Sequence, residues 1–381
     1  MQTKLNVIQS TVMKNNQSFN MIISSCFVMM VLFVMPACQP DEILERVQVG
    51  DLYYNLNATR GLAEVTWMSN SDVAINSNYP NLIDLEIPQT IDYQGKTYTV
   101  KAIEDMAFRY NYSIQSVTIP GSIKKIKGNP FAHCYKLRSI TVSQDNTVYD
   151  SRENCNAIIV KSSNTLIAGC NETVIPASVK HIGPSAMVDF DSLTTVTLPE
   201  GLETIGEYAF TGSGLTQITI PNSVYSLSTG AFSHCELRSV TIGNGIKWIG
   251  DNAFYGCLSL RSIQMGDNVE VIGESAFANL PITTIELPNS LKSIEGYAFD
   301  DCSKLKSIVI PANVTKIERY AFGSCTALKS FTNLATKPQQ IVRTTFYNIN
   351  LSGCTLYVPQ ESLSEYRQAA IWSTFGTITP Y

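Results

Sequence analysis

The sequence predicts a mainly β solenoid, a curved array in which one short structural unit is stacked many times along a single axis. The first observation is a phrase of eighteen residues that returns with small edits at 215–232, 282–299 and 305–322. The second is the spacing of its closing aromatic position, which recurs at intervals of 23, 56, 23, 22, 22, 23, 22, 23 and 24 residues. Repetition at a fixed short period is the signature of a stacked repeat protein. The marker residues are Phe108, Phe131, Met187, Phe210, Phe232, Phe254, Phe277, Phe299, Phe322 and Phe346.

The length of the period indicates what each coil contains. A period of 22 to 23 residues is too short for a pair of helices and falls in the range of leucine-rich repeats, where each coil supplies one strand and a return segment. In the first of the three phrases, apolar and polar residues alternate over 215–220, which predicts a short parallel strand. Pro221 ends it, because proline cannot donate the next ladder hydrogen bond. Val224 and Leu227 then form the return segment, and Phe232 fills the space between coils.

Departures from the phrase set the predicted domain boundaries. Residues 1–37 form a predicted signal peptide, 38–96 a tether and β-rich N-terminal cap, 97–346 the leucine-rich-repeat solenoid, and 347–381 a mixed C-terminal cap. Caps are expected because the first and last coils would otherwise expose their apolar interior and their strand edges. The one long interval between markers contains a predicted insert at about 143–175.

The N-terminal segment has the features of an export signal. A polar lead after Met13, an alternative start, precedes an apolar run at 21–35, which is shorter than the ~20 residues that a transmembrane helix needs. The pair Ala37-Cys38 after it resembles a bacterial lipobox, in which the cysteine is lipidated and becomes the first mature residue. The alternative is an ordinary secretory signal, with Cys38 incidental. Residues 39–42 resemble an acidic surface tag, so we expect a protein held on the exterior of the outer membrane by lipid alone.

The insert has the pattern of a β-hairpin. Two apolar segments flank the polar residues 161–164, and a turn centred there places Val160 opposite Thr165. The same register places Cys155 opposite Cys170, and a disulfide between them is reasonable in an exported protein. Two free thiols are the alternative.

Both caps carry specific expectations. In the N-terminal cap, Trp67, Tyr98 and Val100 are the candidates for its buried side. In the C-terminal cap, Ser362 precedes a predicted short helix, and Glu365 three residues later completes the pattern of a capping box.

Composition and charge exclude several function classes. The formal net charge is −5, from 27 Lys and Arg against 32 Asp and Glu, so no basic excess favours nucleic acid. The three histidines, His133, His181 and His234, are scattered, and the sequence has no pattern of a metal centre, a triad, paired carboxylates or a phosphate loop. We therefore expect no metal, no cofactor and no enzymatic activity. Cysteines three residues after a marker ring are expected to be buried thiols; they are Cys134, Cys235, Cys257, Cys302 and Cys325.

The repeat also carries a family resemblance. The phrase IPNSVxxIGxxAFxxC, seen almost whole at 198–210, 220–235 and 310–325, resembles the BspA-type leucine-rich repeat of bacterial surface proteins. The segment 97–100 is similar to that family's entry strand, and the tail at 356–378 to its terminal module. The resemblance implies a curved solenoid on the cell exterior that acts in adhesion or recognition of proteins. It carries over no catalytic residues.

The candidate binding surface is the outward side of the predicted strands. Its rows are mostly Ser and Thr, and one row carries the basic residues Arg138, Arg238, Arg261, Lys306 and Lys329. Because binding energy concentrates on Trp, Tyr and Arg, Arg238 and Arg261 on adjacent coils are the leading contacts for a protein or matrix ligand. One alternative is a solvated hydroxyl ladder on a structural protein without a ligand. Another is a glycan-binding lipoprotein, which would need a groove of Trp or Tyr at a coil edge, with Tyr149 as a candidate.

Overall fold

The computed structural model describes residues 42–67, 79 and 82–381. The chain divides into two units, Met1–Pro40 and Asp41–Tyr381, and all described residues belong to the second. The predicted signal peptide at 1–37, the alternative start Met13 and the lipidation candidate Cys38 lie outside the described residues.

Short strands dominate the described part of the chain. In chain order they are β1 (Ile43–Val49), β2 (Leu52–Asn57), β3 (Leu62–Thr66), β4 (Asp84–Glu86), β5 (Thr90–Tyr93), β6 (Lys96–Ile103), β7 (Ser116–Ile119), β8 (Lys125–Ile126), β9 (Ser139–Val142), β10 (Tyr149–Asp150), β11 (Ile158–Val160), β12 (Thr165–Ala168), β13 (His181–Ile182), β14 (Thr204–Ile205), β15 (Gln217–Ile220), β16 (Ser226–Leu227), β17 (Ser239–Ile242), β18 (Trp248–Ile249), β19 (Ser262–Gln264), β20 (Val271–Ile272), β21 (Ser293–Ile294), β22 (Ser307–Ile310), β23 (Lys316–Ile317), β24 (Ser330–Asn333), β25 (Thr355–Val358) and β26 (Thr377–Pro380). One α-helix, α1 (Leu363–Gln368), and 3₁₀ helices at Arg152–Asn154, Arg343–Phe346, Leu351–Gly353, Gln360–Ser362 and Trp372–Thr374 complete the described elements.

The predicted parallel strands form one side of the stack, which we call the front ladder. It consists of three parallel sheets, β4-β7-β9, β15-β17-β19 and β22-β24-β25-β26. In the middle sheet Ile218 lies beside Val240, and Val240 beside Ile263. This arrangement confirms the predicted solenoid. Coils 194–198 and 283–287 interrupt the ladder because they lack a regular strand, although the backbone still connects them to the next coil.

The return segments form a second ladder, which the sequence did not predict. Their strands, most of them two residues long, build a continuous sheet of ten strands in the order β10-β11-β12-β13-β14-β16-β18-β20-β21-β23. Leu227 and Ile249 are buried neighbours in this return ladder. Each coil is therefore fixed to the next by backbone hydrogen bonds on two sides.

The Ala-Phe segments form the third side. The Phe232 N–H donates to the Ala253 carbonyl, and the Phe254 N–H to the Ala276 carbonyl, both at 2.9 Å. Residues with positive φ flank the rings, among them Gly230 two positions before Phe232. A Cβ on Gly230 would lie 2.4 Å from the Tyr208 ring, so glycine satisfies both the backbone and the packing there.

The marker rings form a column inside the stack. Consecutive rings from Phe210 to Phe322 are nearly parallel, with centroids 5.0 to 5.7 Å apart, and Phe108 stacks on Phe131 at 5.4 Å. Met187 is buried in the coil between these two groups. Each buried ring contributes about 1.5–3 kcal/mol, so the column is a main source of cohesion between coils.

The cysteine thiols line the same interior. Cys134, Cys155, Cys170, Cys235, Cys257, Cys302, Cys325 and Cys354 are all buried and free. In the repeat position, Cys235 Sγ donates to the Phe210 carbonyl and Cys257 Sγ to the Phe232 carbonyl, both at 3.1 Å. The thiols therefore act as small apolar residues that also satisfy a carbonyl.

The insert joins the return ladder. Val160 pairs with Thr165 as predicted, and β12 pairs in parallel with β13, so the hairpin continues the ladder and does not overhang the front. A bulge between Ile158 and Ile159 shifts the register toward the cysteines. Cys155 Sγ donates to the Ala157 carbonyl, and Cys170 Sγ to the Arg138 carbonyl. The structure thus has the two free thiols and no disulfide between them.

Both caps continue the stack. The antiparallel strands β1, β2 and β3 join β6, and β4 already belongs to the front ladder, ahead of the predicted solenoid start at residue 97. Tyr98 and Val100 are buried as predicted, whereas Trp67 is half-buried beneath Arg46.

At the other end, an aromatic cluster closes the ring column. Trp372 lies 5.8 Å from Phe346, and its indole N–H donates to the Gln339 carbonyl at 2.9 Å. Helix α1 begins directly after Ser362, but the predicted capping box is wrong. The Ser362 hydroxyl instead donates to the Thr336 carbonyl at 2.7 Å, and no side-chain bond caps the helix.

Candidate binding surfaces

The predicted basic row lies on the front ladder, and all five of its side chains are exposed. Arg238 and Arg261 leave adjacent coils, where the Arg261 N–H donates to the Arg238 carbonyl at 3.1 Å. The Lys329 N–H donates in the same way to the Lys306 carbonyl. Arg138 is separate, and its Nη1 lies 3.6 Å from Glu172 of the insert. The row is therefore divided into an arginine pair, a lysine pair and one arginine that already has a partner.

Beside the arginine pair the front ladder is polar. A cleft of 410 Å³ lies between coil 194–198 and β15. Gln217, Thr219 and Thr241 contribute polar side chains to it, and Glu200 is its charged residue. A basic pair next to a hydroxyl-rich surface can contact an acidic or hydrogen-bonding partner.

A second cluster lies on the Ala-Phe edge near the N-terminal end. The Tyr110 ring stacks on His133 at 4.4 Å, and the Arg109 guanidinium lies 4.8 Å from the Tyr110 centroid. His133 Nδ1 is 2.5 Å from Asp189 Oδ2, while Arg109 Nη2 is 3.3 Å from His133 Nε2. Both ring nitrogens are occupied, so the histidine ties three coils together and is not arranged as a general base. Sequence reasoning missed Asp189, which lies 56 residues away along the chain.

The outer face of the return ladder carries a column of alternating charge. Its members are Lys180, Glu203, Tyr225, Lys247, Glu270, Lys292 and Thr315, one from each successive coil. Lys180 lies 3.4 Å from Glu203, and Glu270 lies between Lys247 at 3.4 Å and Lys292 at 2.6 Å. Exposed pairs of this kind are screened by solvent and contribute little to stability. Tyr225 is the uncharged aromatic exception in the middle of the column.

That exception forms part of a cleft. Tyr225 and Trp248 come from adjacent coils and have 59% and 56% of their surface exposed. They line a cleft of 280 Å³ together with Glu207, Asp251 and the hydroxyl residues Ser226, Ser228 and Thr229. Sequence reasoning pointed to the front rows and to a groove at Tyr149, and it missed this cleft. The available signal was an aromatic residue in two places: at the Tyr225 position other coils have mostly Lys, Glu or Thr, and at the Trp248 position they have His, Thr, Ser, Val or Lys.

Tyr149, the predicted aromatic of a glycan groove, is not available for binding. It is 5% exposed, and its hydroxyl accepts a hydrogen bond from the Ile126 N–H at 2.8 Å. The prediction of a groove at Tyr149 is therefore wrong, because the ring is used to pack the insert against the neighbouring coil.

Two further features bear on chemistry and location. Within residues 42–67, 79 and 82–381, no three His, Cys, Asp or Glu side chains are grouped as metal ligands. In that same part of the chain, no helix has both the length and the apolar character to cross a membrane.

Comparison with known proteins decides the family. The profile of the BspA type leucine-rich repeat region matches residues 77–169, 162–236 and 226–352, with six copies of the repeat. The chain belongs to the BspA-type leucine-rich repeat family. As a member of this family it is expected in a binding or adhesion role, and such proteins are typically at the cell surface and non-catalytic.

Several solved structures are similar to this BspA-type chain. A leucine-rich repeat protein from Bacteroides ovatus is 21% identical, with 88% of this chain and 99% of that one covered and a TM-score of 0.43. One from Eubacterium ventriosum is 18% identical, with 81% and 95% covered and a TM-score of 0.49. The pneumococcal vaccine antigen PcpA is 16% identical, with 90% and 99% covered and a TM-score of 0.48. No curated protein sequence matches the chain significantly.

Proposed function

We propose that this BspA-type protein is exported, held on the outer membrane through a lipid on Cys38, and exposed to bind a protein or matrix component. The observation that best supports the binding role is the arginine pair. Arg238 and Arg261 are exposed on adjacent coils whose next residues enter paired strands, so their backbone is fixed before a ligand arrives. Pre-organised arginine side chains lose less entropy on binding than side chains on a mobile loop.

The binding step needs no chemistry. The guanidinium groups form charge-assisted hydrogen bonds to carboxylates of the partner, and the hydroxyl residues of the front ladder surround them. Removing one such contact typically costs about 1–2 kcal/mol, which is roughly a fivefold to thirtyfold loss of affinity.

Binding is tested with the exported protein and immobilised collagen, laminin and fibronectin. We expect the double variant Arg238→Ala with Arg261→Ala to have at least tenfold lower affinity for the matrix protein that binds the wild-type chain, a loss of about 1.4 kcal/mol. Arg343→Ala, which removes an exposed arginine outside the front row, is the matched control. If no matrix protein binds, or if the double variant binds as well as the control, the proposal fails.

The anchor is tested separately by expressing the full chain and its Cys38→Ser variant. We expect the wild-type chain in the membrane fraction, with a lipid-modified N-terminal cysteine found by mass spectrometry. The variant should lose that modification. An unmodified Cys38 in the wild-type protein would contradict the anchor without affecting the binding result.

A further inference from the structure

The cleft between Tyr225 and Trp248 has the composition of a sugar site. Both rings are more than half exposed and extend from backbone that is hydrogen-bonded to neighbouring coils, so they present apolar surface to solvent from a fixed backbone. Aromatic side chains with an apolar ring and a polar edge are suited to ligands that have both characters. A pyranose is such a ligand, because its C–H face is apolar and its hydroxyl groups project from its edge.

The polar residues of the cleft complement those hydroxyl groups. Glu207 and Asp251 contribute carboxylates, which only accept hydrogen bonds when ionised, and Ser226, Ser228 and Thr229 both donate and accept. Asp251 is held in place because its Oδ1 accepts the Glu274 N–H at 2.8 Å. The Glu207 backbone is fixed by its carbonyl, which accepts the Ser185 N–H at 2.8 Å.

The charge of the cleft selects among ligands. Its lining includes two acidic residues and no basic one, and the nearby Lys247 is paired with Glu270. Negative charge repels sulfated sugars, uronic acids and phosphates, so the cleft favours an uncharged ligand. Its volume of 280 Å³ is near the lower end for ligand pockets, which suits one or two sugar rings better than a folded domain.

The repeat pattern shows that the two rings are not needed for the stack. The column position of Tyr225 is charged in most other coils, and the ladder continues through them with the same backbone bonds. The position of Trp248 carries His181, Thr204 and Ser226 in the preceding coils and Val271, Ser293 and Lys316 in the following ones, so no other coil of this run has an aromatic ring there. Two exposed aromatic residues on neighbouring coils are therefore a departure that stacking does not explain.

We propose that this cleft on the return ladder binds a neutral oligosaccharide. The sugar rings stack on Tyr225 and Trp248, and their hydroxyl groups donate to Glu207 and Asp251. The site is on a different side of the coils from the arginine pair of the front ladder, so it acts independently of the matrix-binding function proposed above.

The experiment titrates the exported protein with laminarihexaose, mannohexaose, xylohexaose and hexagalacturonate. Of the three tryptophans, Trp248 is the most exposed, with 56% of its surface accessible, whereas Trp372 is 1% exposed and Trp67 is half-buried. Intrinsic fluorescence therefore reports on the cleft, and calorimetry gives the affinity. We expect at least one neutral hexasaccharide to bind and the acidic hexagalacturonate to bind roughly tenfold more weakly or not at all.

Variants then locate the site. We expect Trp248→Ala and Tyr225→Ala to reduce the affinity roughly tenfold or more. Trp248→Phe should retain part of it, and this variant also covers the case in which the alanine variant does not fold. Tyr347→Ala is the matched control, since Tyr347 is 56% exposed and lies outside the cleft.

Three results would overturn the proposal. One is that no neutral hexasaccharide binds at millimolar concentration. Another is that both cleft variants bind as tightly as the Tyr347→Ala control. The third is that the cleft variants lose capture by collagen, laminin or fibronectin while no sugar binds, which would make the cleft part of a protein-binding surface. Replacement of Arg238 and Arg261 should leave sugar binding unchanged, so the two functions can fail separately.

Discussion

Replacing Phe254 by alanine should break the stack in its middle coils. The ring is fully buried and lies 5.7 Å from Phe232 and 5.6 Å from Phe277, nearly parallel to both. A buried Phe→Ala change costs about 3–5 kcal/mol from lost burial and the cavity that remains. Each stacked pair adds about 0.5–1.5 kcal/mol beyond burial, and this ring makes two such pairs. We therefore expect the free energy of unfolding to fall by about 5 kcal/mol, the upper end of the range for a buried Phe→Ala change.

The assay combines urea unfolding followed by circular dichroism with native-state hydrogen exchange of individual coils. In a solenoid each coil contacts only its neighbours, so exchange should increase most in the coils of Phe232, Phe254 and Phe277. Phe254→Leu is the control, because it keeps much of the apolar volume and loses mainly the two stacked ring contacts, so it should cost about 1–3 kcal/mol and less than Phe254→Ala.

A double-mutant cycle separates ring contact from general destabilisation. Phe232 and Phe254 touch, whereas two rings lie between Phe232 and Phe299. We expect the touching pair to couple by about 0.5–1.5 kcal/mol and the distant pair to be additive within about 0.5 kcal/mol. A loss below about 1 kcal/mol for Phe254→Ala, or equal coupling in both pairs, would refute nearest-neighbour stacking as the source of stability.

The interior and the surface support three further predictions. Burial raises the pKa of Cys134 to about 12, so iodoacetamide near neutral pH should label it only after unfolding, and native labelling found by mass spectrometry would contradict this. A Cβ at Gly214 would lie 1.9 Å from a backbone carbonyl oxygen, so Gly214→Ala should lower the free energy of unfolding by about 1–3 kcal/mol. Gly296→Ala is the control and should be nearly neutral, because the nearest atom to a Cβ there is 3.5 Å away. Equal urea midpoints for the two variants would contradict this prediction. Burial alone would raise the pKa of Glu295, but hydrogen bonds from Lys316 and a nearby serine outweigh it, so the net pKa is lowered. The folded pKa is thus below the usual 4.5, so this stabilisation is present above 4.5 and lost as the pH falls through the folded value. Lys316→Met should flatten that acid dependence, and an unchanged pH profile of unfolding would count against it.

The solenoid was predictable because stacking repeats one physical requirement. Every coil must fill the same interior space with one large apolar residue, a ring in all marked coils except that of Met187, and with a set of aliphatic residues, so the marker positions from Phe108 to Phe346 recur visibly along the sequence. The return ladder was not predictable, because a strand of two residues such as β18 has no period that can be recognised. The pairing across coils, and not the local pattern, makes it a strand.

The errors have local causes. Ser362 fits the local sequence pattern of a helix cap, but its hydroxyl donates to a carbonyl 26 residues away. A local pattern gives no information about a partner so distant along the chain. The sequence left a disulfide and two free thiols in the insert open, and the structure has the free thiols, with a bulge between Ile158 and Ile159 that shifts the register of the hairpin. Tyr149 resembles a surface aromatic in the sequence, yet its hydroxyl satisfies a backbone N–H inside the stack.

In this protein the candidate sites are found where the repeat is broken, because the repeat itself has a structural explanation. Leu227 and Phe232 recur as similar residues in coil after coil because each must fill the same interior space. Tyr225 and Trp248 occupy outward positions where a charged or hydroxyl side chain maintains the ladder equally well. An exposed ring is less favourable in water than those polar groups, so stability does not account for it. The argument from departures in the repeat is weaker for Arg238 and Arg261. Other coils have Thr or Lys at that position, and a basic side chain is normally exposed to solvent. The aromatic cleft is therefore the stronger sign of a ligand, and its sugar titration is the more decisive experiment.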